Sequence, residues 1–214
     1  MSKESGTLDT LCREMEGIDI SLDQVRARFL QHYKIAPTED MGLSVGRMGE
    51  MHTLARVEEL MRKHQGILKV YRFEGIKSRG GYSFHASPYG APNITVRVQK
   101  RKRPIAELDL VLLVEGHPVI VETHLSRYRG CKPHCLAYQL RVDTIARKKK
   151  HVVRLLGCSP EMVYVIPKEY VGKKETPESI MAEFLQRGNH IVPFPMNRQQ
   201  WRAEAEQVLF TSVG

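Results

Sequence analysis

Four side chains in this sequence stand where acid–base or metal chemistry would need them: Asp109, Glu122, His124 and Glu50. Three of them belong to one stretch, Ala106 to Ser126, reading AELDLVLLVEGHPVIVETHLS. Its first half alternates as a strand does, with Ala106, Leu108, Leu110, Leu112 and Val114 on one face and Glu107, Asp109, Val111 and Leu113 on the other. Its second half places Val119, Val121, Thr123 and Leu125 together and Ile120, Glu122, His124 and Ser126 opposite. Glu115-Gly116 suits a two-residue type I′ turn, being close to the Asp-Gly signal.

A turn centred there predicts Asp109 opposite Glu122 and Glu107 opposite His124, all on one side of the sheet. Directly opposed side chains have Cβ atoms about 4.5–5.5 Å apart, where like charges destabilise. A hard cation such as Mg²⁺ would reconcile the two acids, because it is held by one or two carboxylates and completes its shell with water or phosphate oxygens. A solvated acidic face on a surface hairpin is the other reading of the pattern.

The fourth acid comes from a helix. From Gly46 to about Gln65, Leu54, Val57 and Met61 recur as a buried stripe, and four residues before Leu54 that stripe reaches Glu50. A carboxylate on an apolar seam is costly without a partner. So near a helix start, it can also reach solvent or favour the helix dipole.

The remaining elements follow from periodicity and caps. Ser21-Leu-Asp-Gln24 resembles a capping box before Leu22, Val25 and Phe29, giving a short helix to about His32 and then a loop over 35–42. Strands are expected over 67–73, 94–98 and 162–166, with a long loop at 74–92. Around 134–156 a helix presents Val142, Ile145, Val152 and Leu156 to a core. Thr176-Pro177 starts another, carrying Ile180, Met181, Phe184 and Leu185 until Gly188. An edge strand at 190–193 precedes a final helix, capped through Asn197 and Gln200, with Trp201, Ala205 and Val208 on one side.

Composition limits the partners. Among 214 residues, Lys and Arg outnumber Asp and Glu by 33 to 24, a net charge of +9 that favours a polyanion such as nucleic acid. Candidate phosphate contacts are Lys77 and Arg79 in the long loop, the run Lys100, Arg101, Lys102 and Arg103, and Lys148 and Lys149 within the basic patch Arg147–Lys150. Ordinary solvated surface is the alternative for the loop and for the run Lys100 to Arg103. No span reaches 18 apolar residues and the start lacks a hydrophobic signal core, which points to an intracellular, cytoplasmic protein without a membrane partner. The four cysteines do not space as a disulfide framework. Cys131, His134 and Cys135 offer zinc three ligands, with no second pair to complete the site.

The order helix, strand, strand, strand, helix, strand, with acids on the first helix and the central hairpin, resembles the PD-(D/E)XK nuclease superfamily over about Gly46 to Pro167. Asp109 matches its metal-binding Asp, Glu122 the acid of its E-x-K element, and Glu50, in GRMGEMHTLARVEEL, the acid often found on its first core helix. Where the superfamily has Lys, this chain has His124. The resemblance implies an α/β, restriction-endonuclease-like fold, a mixed central sheet flanked by helices with an αβββαβ core. Residues 1–45 would form an N-terminal helical accessory segment, 46–170 the core, and 171–214 a C-terminal helix-strand-helix addition.

By the same resemblance, Mg²⁺ or Mn²⁺ would be held by Asp109, Glu122 and the Thr123 carbonyl, with Glu50 assisting directly or through water, for hydrolysis of phosphodiester bonds in DNA or, alternatively, RNA. His124 would act as acid, base or metal ligand, a lysine from elsewhere such as Lys77 or Lys100 would reach the site, or the site would be inactive. The alternatives are a nuclease-fold protein that only binds nucleic acid or a protein partner, and a purely structural domain. A homodimer would suit cutting both strands of a duplex.

Overall fold

In the computed structural model, which describes residues 3–32, 41–71, 81–86, 93–98, 104–125, 140, 142–170 and 178–210, the chain begins with three helices, α1 (Lys3–Glu16), α2 (Leu22–His32) and α3 (Met41–Lys63). The first was not anticipated. Leu8, Leu11, Cys12 and Met15 are nevertheless spaced i, i+3, i+4, i+7, and all four are buried. The Ser21 hydroxyl accepts from the Gln24 N–H at 3.4 Å and starts α2. The third helix begins five residues before the expected Gly46.

Six strands follow: β1 (Leu68–Val70), β2 (Tyr82–Ala86), β3 (Ile94–Val98), β4 (Ala106–Leu108), β5 (Leu110–Val114) and β6 (His117–Thr123). Then come α4 (Val142–Leu156), β7 (Glu161–Pro167), a 3₁₀ turn at Lys168–Tyr170, α5 (Glu178–Gln186), β8 (His190–Phe194) and α6 (Arg198–Phe210). Gly188, at φ 70°, stops α5, and the Asn197 side chain accepts from the Gln200 N–H at 2.9 Å to cap α6. On α5, Phe184 is buried but Leu185 is exposed, and on α6 the deepest residue of the last turn is Leu209 rather than Val208. The side chains of Val142 and Ile180 lie outside the described residues.

The strands form a mixed five-stranded sheet, β1-β5-β6-β7-β8, and an antiparallel three-stranded sheet, β2-β3-β4. Pairing is antiparallel from β1 to β6 and parallel from β6 to β8. The fold is therefore mixed α/β. One face of the large sheet, with Leu110, Leu112, Val119, Val121, Val163 and Val165, packs on side chains of α1, α2, α3 and α6. The other, with Val111, Ile120, Met162, Tyr164 and Ile166, packs on the small sheet and on residues of α4 and α5. No helix among the described residues is long and apolar enough to cross a membrane.

The hairpin forms at Glu115 and Gly116, whose φ values of 50° and 88° are those a type I′ turn requires. Leu110 pairs with Val121 and Val114 with His117, which is the expected register. The first strand, however, is broken. At Asp109 the chain passes from the small sheet to the large one, so Glu107 pairs with Thr95 of β3 instead of facing His124. Alternation slips there too, because Leu108 joins Val111 in the second core while Leu110 faces the first. A break of this kind re-aims a side chain at the cost of one ladder position.

Two polar residues are buried where α3 meets the first core. Arg56 donates from Nε to the Met15 carbonyl at 2.8 Å, beside the bond that this carbonyl accepts from the Ile18 N–H at 3.3 Å in the last turn of α1. His52 lies against Phe194, with ring centroids 4.8 Å apart, and meets Trp201 edge-on at 5.8 Å. Neither of its ring nitrogens has a hydrogen-bond partner among the described residues. Burial first, then the neighbouring Arg56 charge, pushes its pKa from 6.5 down to about 3.

The unfolded chain thus takes up this proton near pH 6.5 while the folded protein refuses it to about 3, so stability falls as pH drops through that window. A His52→Leu variant should lose less stability than the parent between pH 7 and 4, by on the order of a few kcal/mol. Denaturant melts of both proteins across that range measure the difference, and parallel curves would contradict the assignment.

Candidate active site

The site lies where α3, the Asp109 break, β6 and α4 meet. Glu122 is buried on β6, level with Tyr164 of β7. Its Oε2 accepts from the Lys148 ammonium of α4 at 2.5 Å. Its Oε1 is buried with no hydrogen-bond partner among the described residues. Asp109 accepts from the Thr123 N–H at 2.8 Å, so its side chain supplies the ladder bond that the broken backbone forgoes.

Glu50 is carried in by α3 at a close approach. A Cβ on Gly49 would collide with the Leu125 side chain, so glycine lets the helix come down onto the end of β6. Beside it, the Thr123 hydroxyl donates to the Thr53 hydroxyl at 2.8 Å, which donates to the Gly49 carbonyl at 3.1 Å. Glu50 accepts from Arg47 at 2.8 Å and from the Asn93 amide at 2.8 Å. Arg47 also pairs with Glu107 at 2.9 Å, while Asn93 makes a longer 3.5 Å contact to Asp109. One amide thus joins Glu50 to Asp109.

Burial, reinforced by neighbouring acids, sets the titration. Burial first and the Glu50 charge second push Asp109 from 3.8 up to about 7, against the pull of Lys148, the Thr123 N–H and Arg47. Burial raises Glu122 as well, opposed by Lys148. On Lys148 burial favours the neutral amine, but Glu122, Tyr164 and Asp109 outweigh it, and the ammonium is held above its ordinary pKa. Lys148 therefore stays charged, while Asp109 and Glu122 are raised toward neutrality.

The structure brings Glu50, Asp109, Glu122 and Thr123 together. His124, whose N–H donates to the Val165 carbonyl at 2.9 Å, is half-buried on the wall of an adjoining cavity rather than on Glu122. Lys148 turns inward to Glu122, and Lys149 is half-buried with its pKa lowered by desolvation. Lys77, Arg79, Lys100, Arg101, Lys102 and Arg103, with Cys131, His134 and Cys135, lie outside the described residues.

In the sequence Lys148 reads as a candidate phosphate contact within a basic patch, although it sits three residues after Ile145 and four before Val152, on the buried stripe of its helix. The test that singled out Glu50, a charge on an apolar seam, applies to it equally. Arg47 and Asn93 carried no comparable signal.

Among the described residues, no three His, Cys, Asp or Glu side chains form a ready-made metal cage. Two carboxylates suffice for Mg²⁺ when water and phosphate supply the other ligands. Asp109 and Glu122, the latter with an unpartnered buried oxygen, fit that requirement.

Comparison with known proteins adds little to this geometry. No protein-family profile matches the chain, and no curated protein matches it. Among solved structures, the crystal structure of protein VC1899 from Vibrio cholerae aligns with 97% of this chain at 13% identity and a TM-score of 0.38. The chain spans about half of that protein, 51% of its length. A likeness of this degree carries no argument about fold or activity.

The raised pKa of Asp109 has a measurable consequence for stability. The folded protein keeps the proton to about pH 7 and the unfolded chain releases it near 3.8, so the group's contribution is full below 3.8 and lost as pH rises through 7. Asp109→Asn retains an acceptor for the Thr123 N–H and carries no charge. It should match the parent near pH 4 and melt higher at pH 8, on the order of 5 °C. Equal melting temperatures at both pH values would show that the carboxylate is not destabilised.

Proposed function

We infer that this protein is a divalent-metal-dependent nuclease of the restriction-endonuclease-like, PD-(D/E)XK type, hydrolysing phosphodiester bonds in DNA or RNA. The observation that carries the reading is Lys148. An ammonium 2.5 Å from Glu122 and beside Asp109 supplies, from α4, the cation that the strand lacks at His124.

Asp109 and Glu122 would hold the ion, with the Thr123 carbonyl and Glu50 as further oxygen donors. Mg²⁺ or Mn²⁺ bound there supplies a water of lowered pKa and offsets charge on the phosphate. Lys148 fixes Glu122 in place and presents a proton-bearing cation to the phosphate as its charge grows. Arg47 and Asn93 hold Glu50 at the rim. His124 lines the adjoining cavity with Glu50 and Thr123, where an imidazole serves as acid or base.

A second reading has an observation of its own. Lys148 and Arg47 already balance Glu122 and Glu50 internally, as they would in a nuclease-like fold that binds nucleic acid or a protein partner without cutting it.

One set of measurements separates the two. With labelled single-stranded, duplex and branched DNA and RNA, cutting should appear with Mg²⁺ or Mn²⁺ and vanish with EDTA. Asp109→Asn should lower it by at least about 100-fold, and Lys148→Met by a similar factor. Either ion should also raise the melting temperature of the parent and leave that of Asp109→Asn unchanged. Salt-sensitive binding, no product with any substrate and no metal-dependent stabilisation would favour the non-catalytic reading.

A further inference from the structure

A cavity of about 300 Å³ opens beside the acid cluster and shares Glu50 and Thr123 with it. Its opposite wall is α6, from which Arg198 and Arg202 reach it one helical turn apart. Val45, Leu125 and the almost fully buried Trp201 add apolar lining. Whatever fills it meets Glu50 and Thr123 of the cluster, and Arg198, Arg202 and Glu206 of α6.

Its size selects the occupant. About 300 Å³ is the lower end of the range for pockets that enclose small molecules, enough for one nucleotide and too little for a base pair. Its polarity selects phosphate. The Arg198 guanidinium has no ion-pair partner among the described residues, and Arg202 is held only by Glu206 of its own helix, at 2.7 Å with the arginine 60% exposed. An exposed pair of that kind is weak and exchanges readily for a phosphate. The apolar floor suits a sugar or base face.

We propose that this cavity is a subsite for one unpaired nucleotide of a single-stranded nucleic acid, adjoining the phosphate at the acid cluster. Arg198 and Arg202 hold its phosphate, and Leu125 and Val45 take its apolar face. The proposal rests on the nuclease reading for which bond is cut and assigns that nuclease a single-stranded substrate. A base pair exceeds the volume of the cavity, so a duplex fills it only where a strand is frayed or a base is extruded.

Trp201 is the only tryptophan in the chain and lines the cavity, so its emission reports occupancy without any cutting. Oligothymidylate, alone and annealed to oligoadenylate, is titrated into the full chain in EDTA at about 0.15 M salt, where exposed long-range charge effects are screened. The single strand should change Trp201 emission and bind at least about ten-fold more tightly than the duplex. Arg202→Glu, a surface change that spares the core, should weaken the single strand by about ten-fold, with Arg198→Gln as a second variant checked by thermal melting.

Equal affinity for both forms, or a single strand whose binding ignores both arginines, would overturn the proposal. The two readings fail separately. Asp109-dependent cutting with no arginine effect on binding removes only the subsite. Arginine-dependent changes in Trp201 emission without cutting on any substrate leave a single-strand site in place and remove only the nuclease.

Discussion

The hydrogen bond from the Thr123 N–H to the Asp109 carboxylate, 2.8 Å long, closes the place where the chain steps from one sheet to the other. Without it, the break would leave a donor of β6 unsatisfied in the interior, a loss of about 1–3 kcal/mol. With it, the side chain most suited to binding a cation is fixed by the backbone of the neighbouring strand. Joint and functional group are the same residue. The small sheet, the large sheet and the acid cluster all take their relative positions from this point.

Around that joint the charges are balanced locally. Lys148 answers Glu122, Arg47 answers both Glu50 and Glu107, and Asn93 joins Glu50 to Asp109. Among the described residues the balance is incomplete at Asp109, whose one short hydrogen bond comes from a neutral N–H, and at Glu122 Oε1, which has no partner. Unmet acceptors inside a folded protein are a standing cost, and such costs concentrate where a protein does its work.

Much of this was legible in the residues because the signals were local. Alternation on either side of Glu115-Gly116 fixed the hairpin register, and a charge on an apolar helix seam marked Glu50. The break at Asp109 was not legible, since Leu108, Leu110 and Leu112 read as one unbroken face. Only tertiary packing, with Leu108 needed in one core and Leu110 in the other, divides them. Lys148 was obscured differently. Its neighbours Arg147, Lys149 and Lys150 made a run of four cations, and one member turned inward is invisible in a count of charge. The buried helix α1 shows the same stripe spacing as the others and was simply overlooked.

Glu122 and Lys148 are 26 residues apart, and the parallel pairing of β6 with β7 requires the whole crossover between them, α4 included, to be laid across the sheet first. A chain with only the hairpin made has its acids side by side and no counter-charge near them. In water those acids stay ionised, and it is burial under the docked crossover that raises them. The Lys148–Glu122 pair therefore exists only where both the hairpin and α4 are in place.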